Sequence, residues 1–192
     1  MTADMTKQQR LEYLKNSIIE TVICPELAAT AKQLVFGEGS ADAEIMFIGE
    51  APGKQEDIQG KPFVGASGKL LNEMLESIEF DRSTVYITNI VKYRPPNNRD
   101  PLASEKEAFL PILLEQIEII NPKLIITLGR HSMNSLLPPG LIMGKVHGTL
   151  QKHQGRSYLP LYHPAAALYN GGLRQTLKSD FLTIPSLLRT VQ

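Results

Sequence analysis

Cysteine is nearly missing from this chain: Cys24 stands alone among 192 residues. A single thiol excludes an internal disulfide and fits a reducing cytoplasm. It also excludes a zinc or iron–sulfur centre held wholly by cysteines of the chain. Long apolar runs are missing too. None approaches the roughly 18 residues that a membrane span needs, and the polar opening "MTADMTKQQR" does not read as a signal peptide. Three chemical signatures are absent as well. The segment "GEAPGKQE" (49–56) lacks the Lys-Ser/Thr ending of a Walker loop, and neither a G-x-G-x-x-G fingerprint nor a G-x-S-x-G elbow occurs. Nucleotide hydrolysis by a P-loop and a serine-hydrolase triad are thereby set aside. His131, His147 and His153 lack the close spacing of metal ligands.

Acid is scarce in one half. Residues 1–118 carry 12 Lys/Arg against 19 Asp/Glu, a balance of −7, whereas residues 119–192 carry 8 Lys/Arg against Asp180 alone, a balance of +7. All four histidines also lie in the second half. A solvated face explains such a split, and so does a basic face for a polyanion, because phosphate neutralisation is the general source of nucleic-acid affinity.

What is present reads as one globular domain spanning 1–192. Hydrophobic residues at 42% and charged residues at 21% are ordinary for a folded chain, and this length supports one good core but is short for two. Four apolar, β-rich runs stand out: "EIMFIG" (44–49), "TVYITNIV" (84–91), "KLIITLG" (123–129) and "RSYLPLYH" (156–163). Near-continuous apolar character implies strands covered on both faces, as in a parallel sheet. Between them, Leu70, Leu71, Met74, Leu75 and Ile78 fall on one helix face. Ser104 and Glu107 have capping-box spacing, Pro111 should kink or restart the helix that follows, and Asn121-Pro122 should end it. A leading helix within 1–20 and a trailing one over about 174–189 complete an α/β fold. The expected architecture is a three-layer α/β/α sandwich around a small parallel sheet of about four strands.

Ligands in such folds collect at the carboxyl ends of the strands. That rule brings together Gly49-Glu50-Ala51-Pro52-Gly53, Asn89, Gly129-Arg130-His131 and His163-Pro164. Glu50, straight after an apolar strand, is either a turn acid or a carboxylate at a pocket mouth. Phe63, off any periodic face, is either a core plug or a stacking platform for a planar ligand. Asn89 interrupts an apolar strand and must find partners, whether structural or on the edge of a base. His163, before a rigid Pro164, suits an acid–base or hydrogen-bonding role.

These stretches resemble the iron–sulfur, family 4 branch of the uracil-DNA glycosylases. The resemblance rests on G-E-A-P-G-x-x-E-D with P-F-V-G (49–65), on T-N-x-V-K-x-R-P-P-N-N-R (88–99), and on "LPLYHPAAAL" (159–168), in order and over nearly the whole chain. It implies a hydrolytic, monofunctional DNA-repair enzyme that flips uracil from DNA at a cost of a few kcal/mol and cuts its N-glycosidic bond. By resemblance, Phe63 stacks on the uracil, Asn89 reads its O4 and N3 edge, His163 donates to O2, and Glu50 orients water or balances the cationic sugar. Gly49, Ala51 and Pro52 line the same pocket, with Ala51 standing where more distant relatives place a water-activating Asp. Pro164, Ala165, Leu168, Tyr169 and Arg174 face DNA: Leu168 or Tyr169 as a wedge, Arg174 on phosphate. Ala165 departs from the family's H-P-S and removes a hydroxyl grip on phosphate.

The family's four cluster cysteines fall on Thr21, Cys24, Tyr93 and Phe109, so three ligands are missing and no metal cofactor is expected. Tyr93 and Phe109 are expected to fill the vacated volume, with Thr21 or Cys24 beside them. The expected partner is uracil-containing DNA, with no membrane, in a cytoplasmic monomer. No lysine is placed for Schiff-base chemistry, so no lyase step is expected. A catalytically weak DNA-binding relative, or a glycosylase for another deaminated base, are the alternatives.

Overall fold

The structure, a computed structural model, describes residues 5–191. The first four residues of the expected leading segment lie outside that range. Six strands form one sheet: β1 (Glu38–Gly39), β2 (Ile45–Gly49), β3 (Tyr86–Asn89), β4 (Leu124–Leu128), β5 (Gln151–His153) and β6 (Arg156–Leu161). Their order is β1-β3-β2-β4-β6-β5. The four expected strands make its parallel centre, β3-β2-β4-β6. Two short antiparallel strands, β1 against β3 and β5 against β6, close the edges. Segments of two and three residues carry no readable alternation, which is why the sequence does not announce them.

Alternate residues of each strand feed two apolar layers. Met46, Ile48, Tyr86, Ile125 and Tyr158 face the core beneath α1 (Lys7–Thr21), α2 (Pro25–Ala28) and α5 (Ala103–Ile120). Ile45, Phe47, Ile87, Ile126, Leu159 and Leu161 face the core beneath α4 (Ala66–Glu76) and α9 (Gly171–Thr190). This is the three-layer sandwich, and its two-sided burial explains the continuous apolar runs. Shorter helices, α3 (Lys54–Gln59), α6 (Arg130–Leu136), α7 (Met143–Val146) and α8 (Pro164–Ala167), sit in the connections. No described helix is long and apolar enough to cross a membrane.

Helix α5 departs from expectation twice. Its start is Leu102, whose N–H donates to Glu105 Oε2 at 2.8 Å, so Ser104 lies inside the helix rather than capping it. Arg99 clamps the same carboxylate with two hydrogen bonds, 2.9 and 2.6 Å long, and lowers its pKa. That clamp ties the loop 96–101 to the helix start. Pro111 does not break the helix, which runs on to Ile120. Pro111 is exposed, so the ring and the carbonyl it frees lie toward water.

Candidate active site

The carboxyl ends of β2, β3, β4 and β6 meet as expected. Gly49 ends β2 beside Asn89, which ends β3 in register with it. A Cβ on Gly49 would stand 2.4 Å from Asn89 Oδ1 and 2.6 Å from Phe63 Cζ, so only glycine lets these groups approach. Asn89 is buried, yet its Oδ1 accepts no hydrogen bond from any described residue. A buried amide oxygen without a partner costs about 1–3 kcal/mol, which marks it as an acceptor held open.

Phe63 takes a left-handed backbone, φ 52°, that side chains rarely adopt. Glu56, on α3, imposes it. Its buried Oε1 accepts the N–H groups of Val64 and Gly65 at 2.9 and 2.8 Å and so pins the turn into α4. Phe63 therefore joins the core under α4 and also presents its ring to His163, 5.6 Å between centroids. The core-plug reading holds, and the face turned toward His163 is the one a planar ligand would use. Residues 54–57 lie in helix α3, with Glu56 and Asp57 buried.

His163 caps α8: its Nδ1 accepts the N–H of Ala165 at 3.1 Å. Burial pushes its pKa down to about 4, opposed by the nearby Glu56 carboxylate. The ring is therefore neutral near pH 7, and the Nδ1 bond leaves its proton on Nε2, a donor. Gly129, φ 91°, lets β4 turn away against it, since a Cβ there would lie 3.1 Å from His163 Cβ.

Glu50 lines a cleft of about 200 Å³ with Ala51, Pro52, His163, Ala165 and the loop 98–101. Its Oε1 is buried and accepts no hydrogen bond within the described residues. His131 Nε2 stands 3.5 Å from that oxygen and 3.3 Å from Asp100 Oδ2. Burial raises the Glu50 pKa, and Asp100 raises it further against Lys106 and Arg130. Glu50, Asp100 and His131 offer ligand atoms within 4.8 Å of one another. However, Arg130 Nε donates to His131 Nε2 at 3.2 Å, so a guanidinium already occupies that nitrogen. If ionised Glu50 is the working form, activity falls as pH drops through its raised pKa. The substitution Asp100→Asn removes a repelling charge and is expected to move that acidic limb to lower pH. A pH–rate profile checks this, with Glu50→Gln as the control that abolishes the limb.

Of the groups expected to face DNA, Pro164 is buried at the start of α8 and Ala165 is exposed. Leu168 is half-buried against the α9 core, whereas Tyr169 is 96% exposed. Arg174, expected on phosphate, pairs in the free protein with Glu73 on α4. Arg130, with 71% of its side chain exposed, is more open to solvent, although it too has a carboxylate neighbour, Asp100 Oδ2 at 3.8 Å. Glu56 and Asp100 are the functional candidates to which residue patterns gave no role, while Arg130, gathered by the strand-end rule, was given none of its own.

At the positions of the family's cluster, Tyr93 meets Phe109 edge to face at 6.0 Å, and Cys24 packs against the same core. Thr21 is exposed, with its hydroxyl on Ser17 O at 2.6 Å. Burial and two carboxylates push the Cys24 thiol up, the reverse of a thiolate ligand. These residues do not fit a four-iron cluster.

A family model described as the uracil DNA glycosylase superfamily matches residues 36–183. The type-4 uracil-DNA glycosylase of Sulfurisphaera tokodaii is 47% identical over 192 aligned positions, covering 94% of this chain and 86% of that protein. The type-4 enzyme of Archaeoglobus fulgidus is 42% identical and covers 92% and 94%. That of Thermotoga maritima is 37% identical and covers 96% and 97%.

Proposed function

Because the chain belongs to the uracil-DNA glycosylase superfamily, we propose that it removes uracil from DNA by hydrolysing the N-glycosidic bond, without a lyase step. The observation that carries this reading is a pair of buried, unpartnered oxygens, Asn89 Oδ1 and Glu50 Oε1, at the carboxyl ends of the neighbouring strands β3 and β2. Asn89 Oδ1 accepts the N3–H of a flipped uracil, and its amide nitrogen donates to O4. Cytosine offers a lone pair at N3 and an amine at C4, so both contacts become repulsive. The ring of Phe63 stacks on the base. As C1′–N1 breaks, its electrons pass to the uracil, and neutral His163 donates Nε2–H to O2 where negative charge builds. Glu50 orients the water that attacks C1′ and faces the developing positive sugar.

Proper flipping also needs a wedge and a grip on the backbone. Fully exposed Tyr169 suits the wedge better than Leu168, which the core already holds. Arg130, more exposed than Arg174 and only loosely paired with Asp100, suits the phosphate better, and the positive second half of the chain supplies the surrounding field. Ala165 leaves the grip on phosphate weaker than a serine would.

The test is direct. Oligonucleotides carrying U·G, U·A or single-stranded U are incubated with the protein and treated with alkali. Strand breaks only after alkali are expected. Breaks before alkali would overturn the monofunctional reading, and intact strands with retained binding would leave a DNA-binding relative.

A further inference from the structure

Three residues beyond Asn89, the chain buries an ammonium group that the mechanism above leaves idle. Lys92 is wholly buried, 0% exposed. Its Nζ donates to Asn89 O at 2.7 Å, Thr88 Oγ1 at 2.7 Å and Gln116 Oε1 at 2.5 Å, and it lies 5.9 Å above the Phe36 ring. The partners are fixed in the accepting sense. Thr88 donates its own proton to Phe36 O at 2.7 Å, and Gln116 Nε2 donates to Phe36 O and to Tyr86 OH. Three acceptors therefore surround one nitrogen, which matches the three N–H donors of an ammonium. A neutral amine would set a lone pair against one of them. No carboxylate among the described residues touches the group, and burial drives its pKa well below the ordinary lysine value. The three acceptors oppose that loss by holding the third proton.

A fully buried cation without a counter-ion is costly, and an apolar side chain of the same volume is often no worse for stability. Asn89 O is the one partner that belongs to the base-reading residue. We infer that Lys92 is a positioning residue for Asn89: its ammonium clamps the Asn89 carbonyl, keeps the side-chain amide aimed at the base, and lends positive potential as the uracil anion forms. This rests on the uracil-excising reading above. The expected acceptor of that potential is the leaving base, so the effect must depend on how much help the base needs. Fluorine at C5 withdraws electrons and makes 5-fluorouracil the better leaving group.

The experiment compares single-turnover excision of uracil and 5-fluorouracil from otherwise identical DNA. A charge-assisted hydrogen bond of ordinary strength predicts a loss of about ten- to a hundredfold on uracil for Lys92→Met. A clearly smaller loss is expected on 5-fluorouracil. The variant Lys92→Gln, which keeps a donor but no charge, should fall between. If neither variant folds, Thr88→Val keeps the lysine, removes one of its acceptors and should show the same uracil-biased loss. Equal losses on both bases, or wild-type rates in any folded variant, would overturn the inference. Wild-type protein that releases neither base would instead overturn the excision reading itself.

Discussion

Replacing Asn89 by leucine is expected to lower uracil excision by about 10²–10³-fold, the range found when one donor to a developing charge is deleted. The same substitution is expected to make the protein more stable. Both effects follow from one atom. Asn89 Oδ1 is buried and unpartnered, and it faces Phe63 Cζ across the space that a Cβ on Gly49 would fill. In the free protein that oxygen carries an unmet desolvation cost of about 1–3 kcal/mol. Leucine has nearly the same shape and removes the cost. At roughly 2–4 °C per kcal/mol for a chain of this size, the melting temperature should rise by several degrees. Single-turnover excision and thermal denaturation of the same sample check the pair of outcomes. A drop in stability would mean that the amide serves the fold rather than the base.

Replacing Phe109 by alanine is expected to cost about 3–5 kcal/mol of stability, the usual range for deleting a fully buried ring. Phe109 is 0% exposed and meets Tyr93 edge to face on the inner side of α5. By the scaling above, the melting point should fall by roughly 6–20 °C. The cost is high because two rings and Cys24 share one core with α1 and α2, and a cavity there cannot collapse without moving a helix. Thermal or denaturant unfolding checks the value. A loss under about 1 kcal/mol, the size of a single buried methylene, would mean that the ring fills no essential volume.

Much of the fold was legible because its signals are local. Four apolar runs became the four parallel strands, and the strand-end rule gathered Gly49, Asn89, Gly129 and His163 before any geometry was known. The helix stripe from Leu70 to Ile78 became α4 and its exit, since a periodic apolar face has one place to go. Other features carried no local mark. Edge strands β1 and β5 are too short to alternate. Helix α5 passes through Pro111 because the ring faces water, a matter of which side of the helix the core lies on. Its cap moved from Ser104 to Leu102 and Glu105 because Arg99 reaches back to the carboxylate.

The site divides in the same way. Sequence alone determined the chain's family, the parallel sheet, the neutral-or-charged chemistry available at Glu50, Asn89 and His163, and the missing cluster cysteines. Each of these depends on residue type and order. Only the tertiary structure decided that Asp100 and His131 crowd Glu50, that Glu56 pins the left-handed turn at Phe63, and that Glu73 holds Arg174 across 101 residues of chain. Ion pairs between distant residues depend on how helices and loops cross, and no periodicity encodes a crossing. Lys92 is the sharpest case. Lysine is the residue type least often buried, so its place under Asn89 could be found only where three fixed acceptors close around its nitrogen.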